Sequence, residues 1–248
     1  GILAVARAEP GKYNTVPPGT YGGNLDLREM TEGTALYLPV FMKGALLWTG
    51  DSHAGQGNGE VNLTAIETAF QEFNITIDVI KRTPLEWPRV ETPTAWITVG
   101  YDRDLNKALE LLKSETVKLI AEQRKVSPAQ ANEIMLETWD CPISQVVNGV
   151  KGTYCMVPKQ AQIRKSAALP KQDDAKFHVT YAKDADLEKA MSSAALAMID
   201  GIAEKKKLSR LDAYSLASIA MDCRIGPHTS GDKEVRCMMP KSLWIGSN

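Results

Sequence analysis

The chain lacks several features that would place it quickly. No run of about 18 apolar residues occurs, so no membrane span is expected. Neither sign of charge dominates: the formal net charge is -1, which gives no electrostatic case for a nucleic-acid partner or an anionic membrane. Cysteine is scarce, four in 248 residues, and no Cys-x-x-Cys pair is present. That count does not suggest a disulfide scaffold, so reduced cytoplasmic thiols are the default expectation. There is no Gly-x-Ser-x-Gly elbow, phosphate loop or Rossmann fingerprint. Histidine is rarer still, three in all.

One of those three lies in the chain's densest cluster of polar and flexible residues, Gly50-Asp51-Ser52-His53-Ala54-Gly55-Gln56-Gly57-Asn58-Gly59-Glu60. An apolar run, Ala45–Trp48, precedes it. Asp51 and His53 stand at i and i+2, which on a strand turns both side chains to one face. Glu60 can fold back from beyond the glycines. A carboxylate with an imidazole suits zinc or another divalent ion that keeps an open position. Equally, His53 can act as a general base oriented by Asp51, or the segment can be a polar turn with a surface histidine. Glu67, in an apolar setting, is either a pairing partner or an edge residue. Asn24 and Asp26 follow Gly22-Gly23, glycines that permit close approach of the backbone to a ligand, or simply make a turn.

Residues 1–95 read as strands and turns, with Leu36–Phe41 a buried strand and most of 65–82 a strand carried by the alternation Ile75-Thr76-Ile77-Asp78-Val79-Ile80. From residue 96 the character changes. Residues 96–159 align without gaps on 178–241, an offset of 82, with 21 identities in 64 positions. Unrelated segments would share about 6%. Each copy reads strand, helix, helix, strand. Asp102 or Asp184 offers an N-cap to a long amphipathic helix, and Ser127 or Ser209 starts the second. The expected fold is therefore α+β: a β-rich N-terminal part (1–95, sandwich or barrel-like), a first repeat (96–159), a linker (160–177), and a second repeat with the C-terminal tail (178–248). A pseudo-twofold axis would relate the repeats. Cys141, Cys155, Cys223 and Cys237 fall on equivalent positions, as buried thiols or, less economically, a symmetric four-thiolate zinc site. His228, where the other copy has Val146, reads as a loop histidine, and His178 as structural.

Taken together, Gly22-Gly23-Asn24-Leu25-Asp26, Gly-Asp-x-His with Gly57-Asn58-Gly59-Glu60, Thr64-Ala65-Ile66-Glu67, Ile143–Asn148 and Val150-Lys151-Gly152 through Pro158-Lys159 resemble the acetamidase/formamidase family. The resemblance covers most of residues 1–160. It implies hydrolysis of a small amide, formamide- or acetamide-like, to carboxylate and ammonia at a metal-assisted or acid–base site. Carried over by residue, it implies Asp51, His53 and Glu60 as metal ligands or water activators, with zinc the expected ion. It further implies His53, Glu60 and Glu67 in catalysis, and Asn24 with Gly23 at the substrate. Family members carry a further N-terminal region, which implies an N-terminal companion chain or fragment; a homo-oligomer and a cytoplasmic location are also expected. The competing expectation is a non-catalytic binding or assembly subunit of a split amidase-like complex.

Overall fold

The computed structural model describes residues 1–160, 169–170, 172–227 and 231–244. Its elements, in order, are β1 (Ile2–Ala4), β2 (Gly22–Asn24), β3 (Ala35–Tyr37), β4 (Trp48–Gly50), β5 (His53–Gly55), β6 (Ile66–Glu67), β7 (Arg89–Glu91), β8 (Ala95–Asp102), α1 (Leu105–Arg124), α2 (Pro128–Glu137), β9 (Cys141–Gln145), β10 (Lys151–Pro158), β11 (Phe177–Asp184), α3 (Leu187–Lys206), α4 (Arg210–Ala220), β12 (Asp222–Ile225) and β13 (Lys233–Pro240). Eight of the strands make one antiparallel sheet in the order β11-β13-β12-β9-β10-β8-β7-β3; α1 and α3 pack against it, with α2 laid on α1 and α4 on α3. The fold is thus mixed α and β.

The helices form where the side chains allow. Asp104 and Asp186, not Asp102 and Asp184 as expected, cap α1 and α3, accepting from the amides of Asn106 and Glu188. Asp102 and Asp184 accept instead from the amides of the capping residues themselves. Ser127 and Ser209 cap α2 and α4, and at α2 Gln130 completes a capping box. Both long helices stop at a lysine in the left-handed conformation, Lys125 and Lys207. Each buries one stripe, Leu105, Leu109, Leu112 and Ile120 on α1 and Leu187, Met191, Met198 and Ile202 on α3, in a single core beneath the sheet. Their N-termini are tied together: Asn106 Nδ2 donates to Asp186 Oδ1 (2.9 Å), and the Leu187 amide donates to Asn106 Oδ1 (2.9 Å).

Several expectations need correction. Each unit contains a strand more than expected, because β9 and β12 occupy what reads as a turn in the sequence. These two strands pair with each other (Arg224 with Pro142, Ile225 with Cys141) and join the units into one sheet. Pro142 and Gly226 masked the signal. Residues 1–95 do not build a sandwich or barrel. Outside the large sheet they supply only a three-stranded sheet (β2-β1-β4) and the short β5-β6 pair, linked by irregular chain. Beyond Ile66–Glu67, residues 68–80 hold no strand, and Val40 and Phe41 are exposed. The alternation at 75–80 had the right period but meets no partner strand, and a strand needs its ladder.

The cysteines are not free thiols. Cys141 pairs with Cys155 and Cys223 with Cys237. Cys223 and Cys237 face each other directly across β12 and β13, and the Cα atoms of the two pairs lie 4.0–4.1 Å apart. Sulfurs bonded in pairs are not thiolates, which excludes a shared four-thiolate site. Among the described residues no helix is long and apolar enough to cross a membrane.

Candidate active site

The glycines around His53 serve packing first. The stretch Gly57–Val61 threads the seam between the units. The Gly57 amide donates to Ser218 O, Cys223 N to Asn58 O, Gly59 N to Ser144 O and Val146 N to Gly59 O. A Cβ at Gly57 would come within 2.5 Å of Met221 O, and one at Gly59 within 2.9 Å of Met191 Cε, at a φ of +113°. Glycine is needed there to fit the backbone into the seam. The consequence is a fixed, buried Glu60 on one side and a more open His53 on the other.

His53 and Glu67 are cross-strand neighbours in β5-β6, clamped by Thr68 N donating to Ser52 O. Asp51 lies between β4 and β5 at a φ of +55°, so it does not share a strand with His53 as expected, yet its side chain still reaches the ring. His53 Nε2 is 3.2 Å from Asp51 Oδ1 and 3.4 Å from Glu67 Oε1. One ligand atom from each of the three side chains falls within a 4.8 Å group. An ion ligated at about 2.0–2.2 Å spans donors of this spacing, and imidazole with two carboxylates is a fitting set for a divalent cation such as zinc. His53's side chain is 9% exposed, Asp51's 30% and Glu67's 61%, so the cluster opens outward on the Glu67 side.

Glu60 is not in that cluster. It lies behind it, buried, against Asp26, and burial and the neighbouring Asp26 carboxylate push its pKa up to about 9. Asp26 is itself fully buried. It accepts from the Gly1 nitrogen (2.8 Å) and from Asn148 Nδ2 (2.9 Å). Tyr101 stands beside them, its hydroxyl donating to Leu25 O (2.5 Å), and burial raises its pKa well above the usual phenol value. Gln56 joins the two groups: His53 Nδ1 lies 2.7 Å from Gln56 Oε1, while Gln56 Nε2 donates to Asp26 O (3.2 Å) and Glu60 Oε2 (3.5 Å). Asp26, Asp51 and Glu60 all hold positive φ values (48°, 55° and 28°), a clustering of unfavourable backbone that accompanies functional sites.

Asn24, on β2, is buried with its Oδ1 unpartnered. Gly23 (φ +93°) faces Pro17 O and Pro18 Cα, so its free side is filled by the protein's own chain. His178 contacts Asp173 (3.0 Å) and the edge of Trp244, as a structural histidine should. His228 lies outside the described residues. Sequence reasoning passed over Gln56, Tyr101, Ser144 and Asn148. Gln56 lay inside the quoted stretch Gly50–Glu60, and Ser144 and Asn148 inside Ile143–Asn148, but none was singled out, and Tyr101 carried no signal.

The chain is a mixed α/β scaffold that brings an imidazole and two carboxylates together at a half-open site. The resemblance to the acetamidase/formamidase family holds: that family's model matches residues 4–118. The acetamidase of Mycolicibacterium smegmatis is 40% identical over 81 residues, which are 33% of this chain and 20% of that protein. The formamidase of Methylophilus methylotrophus is 36% identical over 100 residues, 37% of this chain and 24% of that one. Among solved structures, an acetamidase from Bacillus halodurans is 28% identical with a TM-score of 0.57, covering 64% of this chain and 53% of its own. A predicted acetamidase/formamidase from Thermoanaerobacter tengcongensis is 32% identical with a TM-score of 0.56, covering 64% and 52%. The chain therefore spans about a quarter or less of these two curated relatives and about half of the solved ones.

Proposed function

We propose that the chain carries the water-activating part of an amidase site, which hydrolyses a small carboxylic amide, formamide- or acetamide-like, to carboxylate and ammonia. The observation that supports it is the convergence of Asp51, His53 and Glu67, within a stretch matched by a family whose named members are acetamidases and formamidases. The three side chains would hold a divalent cation, zinc being the best match to the donors. Such an ion supplies charge stabilisation for a developing oxyanion and makes water more acidic. Glu60, neutral near pH 7, is placed to keep a proton behind the site, and Asp26 keeps it there. Asn24 Oδ1, an acceptor with no partner, suits an amide N–H of the substrate. We read the two strand–helix–helix–strand–strand units as duplicates about a pseudo-twofold axis between β9 and β12, with the boundaries 1–95, 96–159, 160–177 and 178–248. The support is the common 82-residue offset, the matched caps and the matched disulfides.

Ammonia release from formamide and acetamide tests the activity. Turnover is expected to fall at least 100-fold after chelation, to return with zinc, and to be absent in His53→Ala. Turnover unaffected by both treatments would sink the metal-assisted reading.

One observation favours a second reading, an assembly subunit with a companion chain or a second copy. Leu63, Phe70, Phe73, Ile77, Val79 and Ile80 are more than half exposed, in the segment that runs on either side of Glu67. Native mass analysis separates the readings: a lone 27.1 kDa species with amidase activity would remove the assembly reading.

A further inference from the structure

We propose that Gln56 is a positioning residue that selects which nitrogen of His53 faces the two carboxylates. The reading rests on the metal role proposed for Asp51, His53 and Glu67 and deepens it.

The geometry leaves little choice. An amide side chain has a donating end and an accepting end, distinguished by the groups around them. One end of Gln56 faces the main-chain carbonyl of Asp26 at 3.2 Å. A carbonyl can only accept, so this end must be the NH2. Its second hydrogen points to Glu60 Oε2 at 3.5 Å. The other end, Oε1, then faces His53 Nδ1 at 2.7 Å, and an amide oxygen can only accept. Nδ1 must therefore carry its proton. In a neutral ring the lone pair is left on Nε2, the nitrogen 3.2 Å from Asp51 and 3.4 Å from Glu67.

A lone pair facing two carboxylate oxygens is unfavourable unless a positive charge lies between them. A divalent cation held between them would supply that charge. Gln56 thus makes Nε2 the ligating atom before any ion arrives, as partners of the remote nitrogen do for metal-bound histidines. The arrangement also explains why the acid pair of Asp26 and Glu60 lies so close to the centre without joining it. The Asp26 carbonyl and the Glu60 carboxyl hold the amide that holds the ring. Asp26 is fully buried and Glu60 nearly so, so the anchor is rigid.

Two measurements on the full chain test this. The first is nitrogen-15 NMR of the metal-free protein, at a pH where the ring is neutral, with His53 assigned by its loss in His53→Ala. Nδ1 is expected to be protonated in the wild type, and Gln56→Leu, confirmed folded by circular dichroism and melting, is expected to show a mixture of tautomers. The second is titration with cadmium-113. Coupling should appear to Nε2, and affinity should fall about 10- to 100-fold in Gln56→Leu. Wild-type affinity together with an unchanged tautomer in Gln56→Leu would overturn the proposal, as would ligation through Nδ1. If the wild type binds no divalent ion, the metal reading fails, while the tautomer measurement still decides the role of Gln56.

Discussion

The two helix-bearing units use the same scaffold and dress its outer face in opposite ways. In the first unit, Val99, Tyr101, Tyr154, Ser144 and Gly152 are buried beneath the chain that carries Leu25–Leu27. At the equivalent positions the second unit has Tyr181, Lys183, Arg236, Gly226 and Glu234. Tyr181 is 59% exposed, and Lys183 and Glu234 form an ion pair 3.0 Å long. Beneath the sheet the two units are alike. The same helices, caps and cross-strand cysteines recur at an offset of 82. The difference marks the face on which the proposed site lies. One outer face packs apolar and small residues against the chain that carries Asp26, while its counterpart carries paired charges, Glu234 meeting both Arg236 and the more exposed Lys183.

Exchanging residues between the faces should break this contrast most strongly. A Cβ at Gly152 would strike Ser144 Oγ and the Tyr101 ring. Gly152→Glu, which imports the second unit's residue, should cost more than about 3 kcal/mol through overpacking and an unpaired buried charge. The reverse exchange, Glu234→Gly, should cost about 1 kcal/mol. Thermal melts of both variants would show the asymmetry, and equal shifts would erase it. Below the sheet, symmetry is expected instead. Each disulfide joins residues 14 apart. Cys155→Ser and Cys237→Ser should each lose about 3 kcal/mol, and thiol titration of the unreduced, unfolded chain should find no free cysteine. Four reactive thiols would restore the reduced state expected from composition.

The last contrast concerns pH. Glu60 has a folded pKa near 9, above its value in the unfolded chain, so the folded state binds the extra proton. The associated stability is complete below about pH 4.5 and declines as the pH rises toward 9. The wild-type melting temperature should fall progressively across that window. Glu60→Gln, which cannot ionise, should flatten the curve. Parallel curves would mean that Glu60 does not hold its proton against Asp26.

What the sequence made legible follows the range of each interaction. The helices were readable because caps act on amides two or three residues away, as Ser127 and Ser209 do, although the caps of the long helices fall at Asp104 and Asp186 rather than at Asp102 and Asp184. The meeting of Asp51 with His53 was readable because they are two residues apart, though a left-handed Asp51 rather than a continuous strand brings it about. Glu67 in place of Glu60 as the third member was not readable. It depends on the β5-β6 register and on the route of Gly57–Val61 through a seam made by residues 144–146 and 218–223. The cysteine pairing likewise needed β9 and β12, which carry no clear strand pattern. The alternation at 75–80 misled for the complementary reason, since periodicity tells which face would be buried but not whether a neighbour exists to bury it.

The most direct test compares the two candidate third ligands. Metal content and divalent-ion affinity should be measured for the wild type, Glu67→Gln and Glu60→Gln. One ion per chain in the wild type, lost or at least 100-fold weaker in Glu67→Gln and retained in Glu60→Gln, is the expected result. An ion that survives Glu67→Gln and disappears in Glu60→Gln would contradict the site described for Asp51, His53 and Glu67.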